Sequence, residues 1–319
     1  MSKTRKTSVL LSAIAPVAIA AIGQVPGFSP AAQPPDLSSI DAPLPGAAST
    51  PPVTPPPPAP AGQAACLTKF AGDAGLPVHR SADSASAQTV ICRQGYALSF
   101  NATTHNPDWV VERLTPAQLE VKFARDDAFA PDPALGSLTP TLDDYKAGDV
   151  DNKHYQRGHQ APNQDFASSK QMGEESFFLS NMSPQVGAFN GGIWRVLEGQ
   201  VRMWVTCTQH SDLFVITGPI YRNHDREIGA DRIWVPKAYY KIVYDAVQGR
   251  AVGFILDNAK ADRPGGDFSG FIQPIAEIER ETGLNFFAKL TKHGQDTLEL
   301  DRATPWGHIS QCTDPAGAS

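Results

Sequence analysis

The sequence predicts an α+β domain on an antiparallel sheet, carried behind a proline-rich tether. Three observations lead there. Apolar runs of strand length recur through the second half. They are Leu213 to Thr217, Ala238 to Tyr244 and Val252 to Leu256. Helical patterns fall among them without the regular alternation that a parallel sheet requires. Most of the excess among the 28 prolines lies before Ala65, so the folded part begins near there.

In chain order, residues 1–23 read as an export signal. Lys3, Arg5 and Lys6 precede an alanine-rich apolar run from Val9 to Ile22, with small residues at Ala18, Ala20 and Gly23. The run is short for a membrane span, which needs ~20 apolar residues, and Pro16 interrupts it. A secreted or periplasmic protein with no span in its mature form is expected. Residues 24–64 hold too few large apolar side chains to bury and read as a disordered linker ending in Pro55 to Pro58. Residues 65–319 form the domain.

Within the domain, Gly95 to Phe100 alternates with period two, and Asp108 to Leu114 reads as a second strand. Thr115-Pro116 carries a helix-start signature. Ala124 to Asp149 reads as loop. Ile275 to Glu281 reads as a helix capped by Gly283. Four cysteines in an exported chain suggest two disulfides, with three pairings open. Closeness at the start of the folded part favours Cys66 with Cys92, which leaves Cys207 and Cys312 to tie down the C-terminal tail. Their spacing does not suit zinc. A net charge of −6 argues against coating nucleic acid through bulk charge, but not against local arginines acting on phosphate.

The chemistry concentrates between Tyr155 and Arg202. On a strand, Arg157 and His159 share one face, with Gly158 between them giving close backbone access. A guanidinium grips phosphate oxygens in pairs, and an imidazole takes a proton near neutral pH. Phe177 to Met182 reads as a second strand, and Ser183-Pro184-Gln185 as a turn. Asn190 to Arg202 is helical: Ile193, Leu197 and Val201 form one stripe, and Asn190, Trp194, Glu198 and Arg202 the next. On a straight helix Asn190 and Glu198 stand ~12 Å apart, so Asn190 is the candidate direct ligand of a hard ion and Glu198 acts through water. The ordinary alternatives are that Asn190 caps the helix and that Glu198 and Arg202 form a surface ion pair.

These segments resemble the DNA/RNA non-specific endonucleases over roughly Arg93 to Phe287. Arg157-Gly158-His159, Ser180-Asn181-Met182-Ser183-Pro184-Gln185 and the Asn190, Trp194, Glu198 triplet match the family's elements in order. So do Thr217-Gly218-Pro219-Ile220, Val235 to Lys241 and Pro274 to Leu284. The resemblance implies a ββα-metal nuclease fold, with helices flanking a central antiparallel sheet, acting on DNA and RNA. It implies His159 as general base, Asn190 as the ligand of Mg²⁺ (with Mn²⁺ as substitute), Arg157 on the phosphate and Glu198 ordering water. Arg202, Asn181 and Arg125 match residues near the substrate. Products would carry 5′-phosphate ends. A homodimer is compatible with the resemblance, and no other stable protein partner is implied.

One position departs from the family. Gln156 stands where aspartate usually precedes Arg-Gly-His, and on a strand it faces away from Arg157 and His159. It supports the competing reading of a catalytically weakened nucleic-acid-binding envelope protein. A zinc-loaded HNH-type site is a further rival. It needs a second histidine, and His154 lies an odd number of residues from His159, on the opposite strand face.

Overall fold

The structure is a computed structural model that describes residues 61–146, 149–150, 153–207, 212–222, 226–261, 267–300 and 306. The expected leader and nearly all of the tether lie outside the described residues, as do Cys312 and the side chain of Cys207. The described residues open with helix α1 (Ala61–Ala71), whose alanines favour helix. Its Cys66 is disulfide-bonded to Cys92.

Seven strands form the main sheet. In chain order they are β1 (Gln88–Cys92), β2 (Tyr96–Asn101), β3 (Asn106–Leu114), β6 (Leu213–Ile220), β7 (Ala238–Asp245), β8 (Arg250–Asp257) and β9 (Ile272–Gln273). The labels β4 (Lys153–His159) and β5 (Met182–Val186) belong to a separate small sheet that also holds Asp149–Val150. The main sheet runs β9-β8-β7-β6-β3-β2-β1, and every pairing is antiparallel. All eight positions of both β6 and β7 are buried. That explains why they read as continuous apolar runs: both faces of the sheet are covered.

The two faces follow strand alternation. Ala238, Tyr240, Ile242 and Tyr244 enter one core with Phe70 of α1 and Ile278 of helix α3 (Ile275–Thr282). Tyr239 and Val243 enter the other, against Trp194, and Leu197, Val201 and Trp204 of helix α2 (Arg195–Cys207). Gly283 ends α3 in the left-handed conformation at φ 71°, as its sequence position predicts. No helix among the described residues is long and apolar enough to cross a membrane.

Three local expectations change. Thr115-Pro116 opens a single turn, with Leu119 N–H on Thr115 O, because Leu119 is its one deeply buried side chain and no apolar stripe follows to hold a helix down. Ala124 to Asp149 is mostly loop but contains a short helix at Leu142–Lys146. The second strand of the site is Met182–Val186, so Ser183-Pro184-Gln185 is strand and not turn. Phe177 and Phe178 precede it, and Leu179–Asn181 is a 3₁₀ turn. Pro184 is tolerated because its carbonyl does the bonding, accepting from Tyr239 Oη at 2.8 Å and Asn258 Nδ2 at 3.0 Å.

Candidate active site

β4 and β5 pair with Arg157 opposite Pro184 and His159 opposite Met182. Gly158 is required by packing: a Cβ there would lie 2.1 Å from the buried Gln185 side chain. The alternation places Arg157 and His159 on one face as expected. Their shared environment is aromatic. Arg157 lies 4.1 Å from the Phe129 ring centroid, and the His159 ring sits 5.7 Å from Phe129 and 5.1 Å from Phe177. Arg125 lies over the Phe177 ring at 5.0 Å. Phe129 was not read from the sequence, and a lone phenylalanine in a polar loop carries no signal for this role.

His159 Nε2 is buried without a hydrogen-bond partner. Burial, then the charges of Arg125 and Arg157, lower the imidazole to about 3. His159 is therefore neutral across the physiological range and free to accept a proton.

A cleft of about 390 Å³ runs along this edge of β4 and is lined by Arg125, Arg157, Phe129, Gln156 and Asn190 among others. His154 also lines it, beside Gln156. Arg157 pairs with no described carboxylate. Asn190 does not N-cap α2; it closes the short helix Gly187–Phe189. It lies in an irregular turn, Asn190–Trp194, broken by non-helical Gly192, and α2 begins only at Arg195. The kink removes the straight axis from which a ~12 Å separation from Glu198 was argued. The Asn190 amide nitrogen donates to Gln156 Oε1 at 2.9 Å. Its oxygen, Oδ1, carries no described hydrogen bond and is a donor suited to a hard divalent cation with waters completing its shell. No group of three or more His, Cys, Asp or Glu among the described residues is placed to hold a metal.

Glu198 and Arg202 are not a surface pair. Glu198 is 8% exposed and Arg202 2%, within electrostatic reach of Glu112, Asp165 and Lys241. Arg202 Nη1 holds Asp165 Oδ1 at 2.8 Å, and Lys241 Nζ donates to Thr217 Oγ1 at 2.6 Å. Burial raises Glu198 to about 7, against the pull of Lys241 and Arg202. Burial also holds Glu112 well above ordinary carboxylate values, with Asp165 adding to the effect. Three carboxyl groups and two cations share this space, so the cluster favours retaining a proton. Arg202, expected near substrate, lies inside this buried cluster and not on an open surface. Asp165, Lys241 and Glu112 come from three distant segments, and nothing in their local sequence announced them.

Asn181 is likewise structural in placement. It is fully buried, accepting from Ala161 N at 3.0 Å and donating to Ala161 O and Ser176 O, both at 2.9 Å. It anchors the chain just beyond His159. Arg125 is exposed and held by Asp127 at 2.6 Å, while its charge is felt by both His159 and Glu198.

A ββα unit with a neutral histidine, an arginine paired with no described carboxylate and an amide oxygen with no described hydrogen bond suits a phosphate-handling site. Residues 78–293 match the model of the DNA/RNA non-specific endonucleases, and the chain belongs to that family. It is 32% identical over 226 residues to Nuclease C1 of Cunninghamella echinulata var. echinulata, covering 65% of this chain and 86% of the relative. It is 33% identical over 215 residues to a mitochondrial EXOG nuclease of Danio rerio, covering 62% of this chain and 60% of the relative. Among solved structures, EndoG in complex with EndoGI superposes with a TM-score of 0.60 at 26% identity, covering 71% of this chain and 93% of that one. The fold is that of the ββα-metal nucleases.

Proposed function

We propose that the protein is an exported, metal-dependent endonuclease that hydrolyses phosphodiester bonds in DNA and RNA with little regard for sequence. The observation that carries this reading is the grouping of Arg157, His159 and Asn190 along β4 in a chain of this family. Export rests on the N-terminal leader read from the sequence. The Cys66–Cys92 disulfide suits an oxidising compartment.

Each residue has a task that follows from its surroundings. Arg157 receives the phosphate oxygens, since its guanidinium lies over Phe129 with no competing carboxylate among the described residues. Bringing a phosphodiester between Arg125 and Arg157 offsets the charges that depress His159, so its basicity rises where substrate is bound. His159 takes the proton of the attacking water as the water oxygen bonds to phosphorus. The bond from phosphorus to the 3′ oxygen breaks in line, the 3′ oxygen takes a proton from solvent to leave as a hydroxyl, and the phosphate stays on the 5′ oxygen. Asn190 Oδ1 would hold Mg²⁺, or Mn²⁺ in its place. When bound, that ion supplies Lewis-acid stabilisation of the phosphate and of the leaving oxygen. Glu198 supports the site from the buried side, within the fields of Lys241 and Arg202. Contacts to backbone phosphate carry no sequence information, which accounts for low specificity.

The test is incubation of the purified protein with supercoiled plasmid and with total RNA, in Mg²⁺ or in chelator. Metal-dependent loss of both substrates with 5′-phosphate ends is the expected result. Binding of nucleic acid without cleavage in excess Mg²⁺ would instead favour the weakened, non-catalytic reading that Gln156 raises.

A further inference from the structure

The bond between Gln156 and Asn190 has a direction, and the direction decides whether a cation can bind. An asparagine amide has one oxygen and one nitrogen at its tip. Only the oxygen has a lone pair to offer a hard ion. With Nδ2 donating to Gln156 Oε1 at 2.9 Å, Oδ1 is the atom left for the cleft. In the reverse arrangement Gln156 Nε2 would donate to Asn190 Oδ1 and occupy the electron pair that a cation needs. A carboxylate at position 156 can only accept, so it would allow the first arrangement alone. A glutamine allows both.

Resting on the metal-dependent reading above, we infer that Gln156 is a positioning residue whose amide orientation sets whether Asn190 offers its oxygen to a divalent cation. The fold narrows that choice. Gln156 lies on β4 opposite Gln185, and the chain returns beside it at Gly187. A Cβ at Gly187 would stand 3.0 Å from Gln156 Nε2 and 3.2 Å from Cδ, so the glycine makes the space that this amide fills.

The charge of the cleft gives the pair added weight. Its described lining includes Arg125, Lys146 and Arg157 and no carboxylate. Arg125 and Lys146 are partly answered by Asp127 and Asp143, and Arg157 by no described carboxylate. Among the described lining residues, the Asn190 oxygen is the group suited to a hard cation. The orientation of that oxygen becomes a main determinant of affinity, and the missing fixed charge at position 156 leaves the phosphate of the substrate to supply it.

The experiment is a titration of the full-length protein with Mn²⁺ alone, reading free Mn²⁺ by electron paramagnetic resonance. Wild type, Gln156→Leu, Gln156→Glu and Asn190→Ala are compared. Gln156→Leu removes the acceptor, and affinity is expected to fall by roughly 10- to 100-fold, the usual cost of losing a group that orients a metal ligand. Gln156→Glu keeps the acceptor, cannot donate and adds a charge, so it is expected to bind more tightly than wild type. Wild-type affinity in Gln156→Leu, or no gain in Gln156→Glu, overturns the positioning role. Unchanged Mn²⁺ binding in Asn190→Ala overturns it at its base, by removing Asn190 from the metal site.

Discussion

Replacing Glu198 by glutamine changes one proton in the buried charge cluster and almost nothing in shape. Glu198 sits 8% exposed among Lys241, Arg202 and Asp165, and burial raises it to about 7. Its rise from the ordinary carboxylate value near 4.5 corresponds to roughly 3 kcal/mol. The sign follows from proton uptake. Between about 4.5 and 7 the folded chain holds this proton more tightly than the unfolded chain does. Wild type therefore loses stability as pH rises through that window, and the loss is complete above it. Glu198→Gln does not titrate. Its stability relative to wild type should gain little at pH 4.5 and up to about 3 kcal/mol by pH 8, equal to roughly 6–12 °C in melting temperature for a domain of this size. Because Glu112 shares the cluster and also favours its proton, that figure is an upper bound. Urea unfolding midpoints of both proteins, measured at the two pH values, give the difference directly. Turnover should fall while stability rises, as expected where a site holds an unfavourable charge for function. An advantage that is equal at both pH values, or that shrinks towards pH 8, would refute the assignment of a buried, proton-holding carboxyl.

Asp165→Asn removes the carboxylate that Arg202 holds at 2.8 Å in a site excluded from water, and should cost about 3–5 kcal/mol in unfolding free energy. Gly158→Ala drives a methyl group into Gln185, 2.1 Å from its Cδ, and should destabilise by about 1–3 kcal/mol, visible as a lowered urea midpoint. His159, lowered to about 3, is protonated in the unfolded chain but not in the folded one between that value and about 6.5. Wild type should therefore lose stability as pH falls across this range, and His159→Ala should lose less, in unfolding curves taken at pH 4 and pH 7.

The parts of the fold that were legible are those where local pattern and tertiary role coincide. The apolar runs of β6, β7 and β8, the alternation of β4 and the Gly283 cap each state in a few residues what the structure does with them. The strand at Met182–Val186 was hidden by Pro184 and by polar neighbours. It is held by its carbonyl and by partners such as Tyr239 and Asn258, far along the chain. Asn190 stood out in the sequence, but its bond to Gln156 depends on a β4–β5 register that no local pattern gives. Glu198 and Arg202 carried the spacing of a solvated helix pair. Their burial is decided by Asp165, Glu112 and Lys241, which reach the same place from a turn and two strands. Asn181 illustrates the converse: its presence was clear, while its commitment to Ala161 and Ser176 could not be.

The central claim is that His159 takes the proton from the attacking water. The most direct measurement is turnover of plasmid and RNA by His159→Ala beside wild type in saturating Mg²⁺, with circular dichroism to confirm that the fold is kept. A fall of about 10²- to 10⁴-fold in kcat with an intact fold is the predicted result. A well-folded variant that cleaves both substrates at close to the wild-type rate would contradict it.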